Sequence, residues 1–454
     1  MGKNYFGLEK STQQIFKIMI WKNKIWKLIG YDLNAANAQL EKTRYLKRRD
    51  LMIWQNQKIW QIYNYHKKNN LFYSHKCKED IVDWEHIPVM KKSDFQIGLN
   101  KILTSGFQKA NSYIANSSGS SGQPFWFAKN KFCHALAWSY LITRYNYLGC
   151  NCNNLEARFY GSIKDDIGII FFEKIKDLFF QRKRFDVFNQ SSEYFKSVFD
   201  MFFKKKFTFV YGYTNSILSF SKYINDSNTK PLNKICPSLK FVLVTAEMCT
   251  EDIRKEISSS FGVPVYREYG ASETSIIAIE NKSLEWEIAV ERLFIEIVND
   301  DNRQLPNGEV GRILVTDLFN YAMPIIRYEI GDLGSVRSMD LFPFLKLSKL
   351  QGRISDTISL PSGRTSPGLA YYYISRSIIK KSSEIKQFVV IQKTIKEIQF
   401  NYISSSQISP SVKQDIIAAS DRYLEPGLEY SFEKVNVIHQ HKSGKIQHFF
   451  SELK

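Results

Sequence analysis

Small residues gather in "NSSGSSGQPFWFAKN", where Ser117, Ser118, Gly119, Ser120, Ser121 and Gly122 lie between the apolar stretches SYIA and PFWFA. Glycine reaches backbone conformations closed to other residues. Consecutive N–H groups and serine hydroxyls in such a run can therefore converge on an anion, a phosphate above all. The same composition also makes a solvated linker or an ordinary turn. Further clusters of small and polar residues follow: TAEMC (245–249), YGASETS (269–275), RYEIGDLG (327–334) and HKSGKIQHF (441–449). Each alone fits a plain turn at the end of a strand.

The elements around these clusters decide where they sit. LKFVLVT (239–245) has the β-branched, apolar pattern of a buried strand. EDIRKEISSSFG (251–262) reads as an amphipathic helix closed by Gly262, and VPVYREYG (263–270) as the next strand. Strand, helix, strand in that order predicts a parallel α/β layer, which gathers ligands at the carboxyl ends of its strands. LFIEIVNDDNRQLPNGEVGRILVTDL (293–318) reads instead as two strands around a turn at Pro306-Asn307-Gly308, hence antiparallel β structure. Residues 1–100 read mostly as helices, and those after LQGRISD as a small α+β unit.

Taken in order, SSGSSGQP, TAEMC, YGASETS, RYEIGDLG, GRISDTI and SGK resemble the successive core motifs of the adenylate-forming superfamily. That superfamily holds acyl-CoA synthetases, peptide-synthetase adenylation domains and luciferases. IPVMKKSDF, FGVPVYREYGASE and NYAMPIIRYEIGDLG resemble its phenylacetate–CoA ligase branch, and within it the CapK-like proteins linked to capsular polysaccharide. The resemblance covers roughly residues 80–454. It implies an α/β fold with a large N-terminal adenylate-forming domain, comprising parallel α/β layers, a β subdomain and a helical N-terminal extension. A small, mobile α+β C-terminal lid completes it. The corresponding segments are 1–100 (basic helical region of the large domain), 101–351 (adenylation core) and 352–454 (lid).

The resemblance also implies the chemistry. A carboxylate attacks the α-phosphate of ATP, pyrophosphate leaves, and a thiol, amine or hydroxyl then displaces AMP from the acyl-adenylate. By the same resemblance Ser117, Ser118, Gly119, Ser120, Ser121 and Gly122 hold the β- and γ-phosphates, and Ala246 and Glu247 line the adenine pocket. Tyr269 packs on adenine, with Gly270 and Ala271 in the same nucleotide-binding turn. Ser272 contacts the α-phosphate and Glu273 holds Mg²⁺, an ion that takes hard oxygen ligands. Asp332 takes both ribose hydroxyls, Arg353 contacts ribose or phosphate, and Lys445 is the mobile catalytic lysine, with Lys442 as runner-up. CoA is one candidate acceptor. A lipid-linked or nucleotide sugar is another.

This chain departs from the family at defined places. Gln123 stands where relatives often carry a lysine after the last glycine of the phosphate loop. Ser355 occupies the hinge, where Gly-Arg-x-Asp-Asp has an aspartate, while Asp356 is kept. The stretch IIAIENKSLEWEIAVE lacks the Cys and His of the zinc site that some relatives have there, so no structural zinc is expected. Gln123 and Ser355 are also what a nucleotide-binding scaffold without turnover would show, although Glu273, Asp332 and Lys445 are all retained. RFYGS (158–162) and YGYTNS (211–216) flank the expected acid pocket, with Tyr160 and Tyr213 as candidate wall residues or plain packing.

Composition narrows the alternatives. With 454 residues, 44% hydrophobic and 24% charged, the chain is globular, with enough length for two or three structural units. Its net charge of +18 is concentrated at the start: residues 1–80 hold 16 Lys and Arg against 6 Asp and Glu. Trp21, Trp26, Trp54 and Trp60 also lie there, and QQIFKIMIWKNKIWKLIG spaces Ile15, Ile18, Met19, Ile25 and Ile29 at near-helical intervals. The segment reads as a packed helix with solvated lysines, an attachment to an anionic membrane surface, or a nucleic-acid contact. No nucleic-acid-binding signature supports the last, and no nucleic-acid partner is expected. No run of about 20 uncharged apolar residues marks a spanning helix. MGKNYFGLEK lacks the apolar core of a signal peptide, and the cysteines are scattered. A cytoplasmic protein, peripheral to the inner face of the membrane in one version, is the expectation.

Overall fold

The computed structural model describes residues 26–77, 80–117, 125–151, 154–160, 174, 177–178, 180–187, 189, 191–227, 229–247, 249–351, 357–367, 371, 374, 385, 387–436 and 449–453. The chain forms two compact units. The first holds the described residues of Met1–Ser117, Phe125–Cys152 and Tyr269–Gln351, the second those of Asn153–Glu268 and Gly352–Lys454.

The first unit opens with helices α1 (Leu33–Arg44) and α2 (Arg48–Asn69). Asp32 caps α1 by accepting a hydrogen bond from Ala35 N at 3.0 Å, and Lys42 and Arg44 in its last turn complement the helix dipole. Trp26, Trp54 and Trp60 pack against the apolar core of this unit. Trp60 meets Tyr63 and Trp84 edge-on, with ring centroids 5.6 and 5.7 Å apart. The basic region is thus helical with packed aromatics as far as it is described, because helices in water draw most of their stability from tertiary packing. Trp21 and most of the Ile15–Ile29 pattern lie outside the described residues. Strands β1 (Ser112–Asn116) and β2 (Trp126–Asn130) form an antiparallel hairpin on either side of the serine–glycine run, and helix α3 (Lys131–Leu148) follows.

The second unit supplies the parallel layer. Its elements are β3 (Leu155–Phe159), β4 (Arg182–Arg184), α4 (Ser192–Lys204), β5 (Phe207–Tyr213), α5 (Thr214–Asp226), β6 (Phe241–Thr245), α6 (Glu251–Phe261) and, as far as Glu268, β7 (Val265–Ala271). The strands lie side by side in the order β7-β6-β5-β3-β4, all parallel. Every residue of β6 is buried, as its uninterrupted apolar pattern requires. Thr250 caps α6 by accepting from Ile253 N, and Gly262 closes it at φ 69°. A Cβ at Gly262 would need that left-handed backbone and would meet Asn233 Oδ1 at 2.3 Å, so only glycine ends the helix there.

The chain then returns to the first unit with β8 (Ser275–Glu280), β9 (Trp286–Ile288), β10 (Leu293–Val298), β11 (Gly311–Asp317), β12 (Tyr328–Ser338) and β13 (Leu345–Gln351). They run antiparallel in the order β10-β11-β12-β13-β9-β8, and β10 pairs with β11 from Leu293↔Asp317 to Val298↔Arg312. Beyond residue 351 the second unit adds the hairpin β14 (Thr357–Ser359) and β15 (Thr365–Pro367). It also adds β16 (Gln387–Gln392), β17 (Glu397–Ile403), helix α7 (Pro410–Tyr423), β18 (Glu429–Lys434) and β19 (Phe449–Ser451). These last strands form a mixed sheet in the order β18-β17-β16-β19. The fold is therefore mixed α/β with parallel and antiparallel parts, as the sequence predicts.

Candidate active site

The first unit brings two distant motifs together at one turn. YGASETS leaves β7 at Ala271 and re-enters β8 at Ser275, so three residues make the reversal. The turn is too tight for a side chain at Gly270, whose Cβ would stand 2.4 Å from Ser275 O. Tyr269, 8% exposed, donates its hydroxyl to Asp332 Oδ2 at 2.9 Å. Glu273, 6% exposed, accepts from the Tyr328 hydroxyl at 2.8 Å on Oε1, and its Oε2 makes no hydrogen bond among the described residues.

Tyr328 is held from behind. Its neighbour Arg327 is fully buried, donating to Glu296 Oε1 at 3.1 Å and to Asn302 O at 2.7 Å. A buried charge survives only with such partners, so Arg327 fixes the start of β12, and β12 aims both Tyr328 and Asp332. RYEIGDLG thus works as one rigid piece.

Sequence reasoning missed a second support. Lys129 of β2 is 1% exposed and donates to Ser272 O at 3.1 Å and to Ser275 Oγ at 2.5 Å. Burial lowers its pKa to about 8. Arg292, also buried, donates to Thr274 O and to Ile276 O. Two buried cations therefore grip the carbonyls of the Ser272–Thr274 turn. Lys129 could have been noticed as a lone charge in an apolar strand (PFWFAKN). Nothing in the sequence places it under residues more than a hundred positions away.

Other site candidates stand as follows. Ser117 is 3% exposed and closes the base of its loop: its N–H donates to Phe125 O at 2.9 Å and its Oγ accepts from Phe125 N at 3.1 Å. In the second unit, Ala246 has φ 68° and turns the chain so that Glu247 caps α5. Glu247 Oε2 accepts from Asn215 N at 2.8 Å, and its main-chain oxygen accepts from the Thr214 hydroxyl at 3.2 Å. Burial pushes the Glu247 carboxyl up to about 7. Tyr160 and Tyr213 pack ring against ring, 4.5 Å between centroids. Ser118, Gly119, Ser120, Ser121, Gly122, Arg353, Ser355 and Lys445 lie outside the described residues.

A buried carboxylate with one oxygen unpartnered suits a hard divalent cation. No group of three or more His, Cys, Asp or Glu that could hold a metal occurs among the described residues. A cation at Glu273 would draw its remaining oxygens from phosphates and water, the usual habit of magnesium. Among the described residues no helix is long and apolar enough to cross a membrane.

No family model matches the chain. It is 26% identical to Protein CapK of Staphylococcus aureus over 335 residues, 68% of this chain and 69% of that protein. It is 36% identical to the phenylacetate–coenzyme A ligase of Thermus thermophilus over 104 residues, 21% of this chain and 23% of that ligase. Its fold resembles that of 2-hydroxyisobutyryl-CoA ligase in complex with 2-HIB-AMP and CoA. There the TM-score is 0.60 at 14% identity, over 91% of this chain and 92% of the other. Motif order and relatives point the same way: the chain is similar to CapK and to phenylacetate–CoA ligases, and its fold resembles that of an acyl-CoA ligase.

Proposed function

We propose that the protein activates a carboxylic acid with ATP as an acyl-adenylate and pyrophosphate, then transfers the acyl group to an amine, hydroxyl or thiol. The observation that carries this is the pairing of Tyr269 with Asp332 and of Glu273 with Tyr328 around one braced turn. Both half-reactions crowd negative charge at the α-phosphate, so a rigid set of donors and a cation site beside it lower the barrier more than a flexible one.

In this reading Tyr269, Gly270 and Ala271 receive the adenosine, Ala246 and Glu247 border the base, and Asp332 accepts from the ribose hydroxyls. Ser272 donates to the α-phosphate. Glu273 holds Mg²⁺, which when bound neutralises phosphate charge as it develops. Ser117 seats the loop whose Ser118–Gly122 carry the β- and γ-phosphates, and Arg353 adds a contact to ribose or phosphate. Lys445 bridges the incoming carboxylate and the α-phosphate, delivered by a C-terminal lid (352–454) that turns about Ser355 against the core (101–351) and its helical region (1–100).

The motif resemblance to CapK-like proteins linked to capsular polysaccharide favours an acceptor in surface polysaccharide synthesis, such as a lipid-linked or nucleotide sugar, with the basic N-terminal region near the inner membrane surface. Likeness to phenylacetate–CoA ligases supports a second reading, with CoA as acceptor. AMP release that depends on CoA favours the latter, and dependence on an amino sugar the former.

The decisive experiment follows pyrophosphate release with ATP, Mg²⁺ and hydroxylamine over aryl, fatty, amino and uronic acids, with Lys445→Ala in parallel. Release should require one acid class and fall by roughly 10²–10³ in the variant. ATP binding without release from any acid would sink the proposal.

A further inference from the structure

In the second unit, the carboxyl ends of β3, β5 and β6, with the β7 residue that faces them, carry a polar cluster that the proposed chemistry has not used. Register aligns Tyr213, Thr245 and Glu268 across β5, β6 and β7, and Arg158 with Tyr211 across β3 and β5. The Tyr211 and Thr245 hydroxyls both donate to Glu268 Oε1, each at 3.1 Å. Glu268 Oε2 is buried and has no hydrogen-bond partner among the described residues. Around it stand aromatic rings: Tyr160 lies 5.6 Å from Tyr211 and 4.5 Å from Tyr213, centroid to centroid. The Arg158 guanidinium covers Tyr211 at 4.6 Å and is ion-paired with Glu156, which Arg182 also approaches at 3.3 Å.

A carboxyl oxygen buried without a donor costs on the order of 1–3 kcal/mol, and an apolar residue at that position would avoid the cost. The fold does not need Glu268 for packing, since the core on the sheet's other face is built from Val210, Val242, Val244 and Val265. Two hydroxyls nevertheless fix one oxygen and so orient the other. Parallel sheets receive ligands at this end of their strands.

We propose that Glu268 Oε2 accepts a hydrogen bond from the acid substrate, so that the enzyme selects a carboxylic acid bearing a hydroxyl or amino donor over its unsubstituted analogue. This rests on the adenylation reading above and names its substrate class. A site that leaves a buried acceptor unpaired rejects the analogue lacking the donor far more strongly than a methylene-sized gap would. Burial pushes the Glu268 carboxyl up to about 7, so its charge state answers to what approaches it. An ammonium draws it to the ionised form, and a hydroxyl leaves it less changed.

The test is ATP–pyrophosphate exchange on the full chain with matched triplets: lactate, alanine and propionate, and 3-phenyllactate, phenylalanine and 3-phenylpropionate. Wild type, Glu268→Gln and Glu268→Leu are compared. We expect wild type to prefer one donor-bearing member over the unsubstituted acid by roughly 100-fold in kcat/KM. Glu268→Leu should erase most of that preference while retaining exchange with the unsubstituted acid, and Glu268→Gln should reduce it. The hydroxy and amino arms say which donor is read. Wild-type exchange that ignores the donor overturns this inference alone, as does a preference unchanged in Glu268→Leu. Absence of exchange from every acid overturns it together with the adenylation reading.

Discussion

Two groups of carboxylates are held in different ways, although each has one oxygen bonded and one without a partner among the described residues. In the first unit Glu273 is braced: Tyr328 bonds one oxygen, and Lys129 and Arg292 lock the turn that carries it. In the second unit Glu247 and Glu268 each have one oxygen satisfied and one buried without a partner among the described residues. Burial raises both to about 7. The braced group suits a task repeated identically in every turnover, handling phosphate and cation. Glu247 and Glu268, whose second oxygen is itself buried, suit recognition, where a ligand completes the hydrogen bonding and its absence is penalised.

The comparison breaks most sharply at Glu273. Glu273→Gln keeps the shape and the Tyr328 contact but removes the charge, and pyrophosphate release should fall roughly 10³-fold. A fall of less than tenfold would mean the cation is held elsewhere. Asp332→Asn should weaken ATP by about 10–100-fold in KM, because a charge-assisted bond to hydroxyls is replaced by a neutral one. An unchanged KM for ATP would remove the ribose assignment.

Lys129→Met tests the brace itself. Loss of two donors beneath Ser272 and Ser275 should raise the KM for ATP by about tenfold at saturating acid and leave the acid preference alone. If the preference moved instead, the turn would not be what Lys129 positions. Buried Glu247 offers the smallest and most specific effect. Its folded pKa, about 7, lies above the ordinary 4.5, so the stability tied to its protonated form is intact below pH 4.5 and lost as pH rises through 7. Glu247→Gln should therefore gain on wild type by about 2–4 °C in Tm between pH 5 and 8. A difference that does not grow with pH would contradict a raised carboxyl.

Much of this was legible before any coordinates. LKFVLVT, EDIRKEISSSFG and VPVYREYG form strand, helix and strand, and the first strand pairs parallel to the second. Their periodicities and the terminal Gly262 are local signals, and burial on the two sides of a parallel strand leaves no alternative pattern. The stretch 293–318 likewise forms the antiparallel pair expected from its turn chemistry. The supports of the site were not legible. Lys129 and Arg292 look like any charged residues beside apolar ones, and Arg327 looks like a loop arginine.

Sequence alone determined the element types and the order of the motifs and named the candidate residues for the chemistry, because these depend on local backbone preferences and side-chain type. Only the tertiary structure decided which oxygens are already bonded. It gave Glu273 its tyrosine and Ser272 its buried lysine, and it left Glu268 with one oxygen unpaired among the described residues. Hydrogen-bond satisfaction depends on distances of about 3 Å between residues far apart in the chain, and no local pattern encodes them.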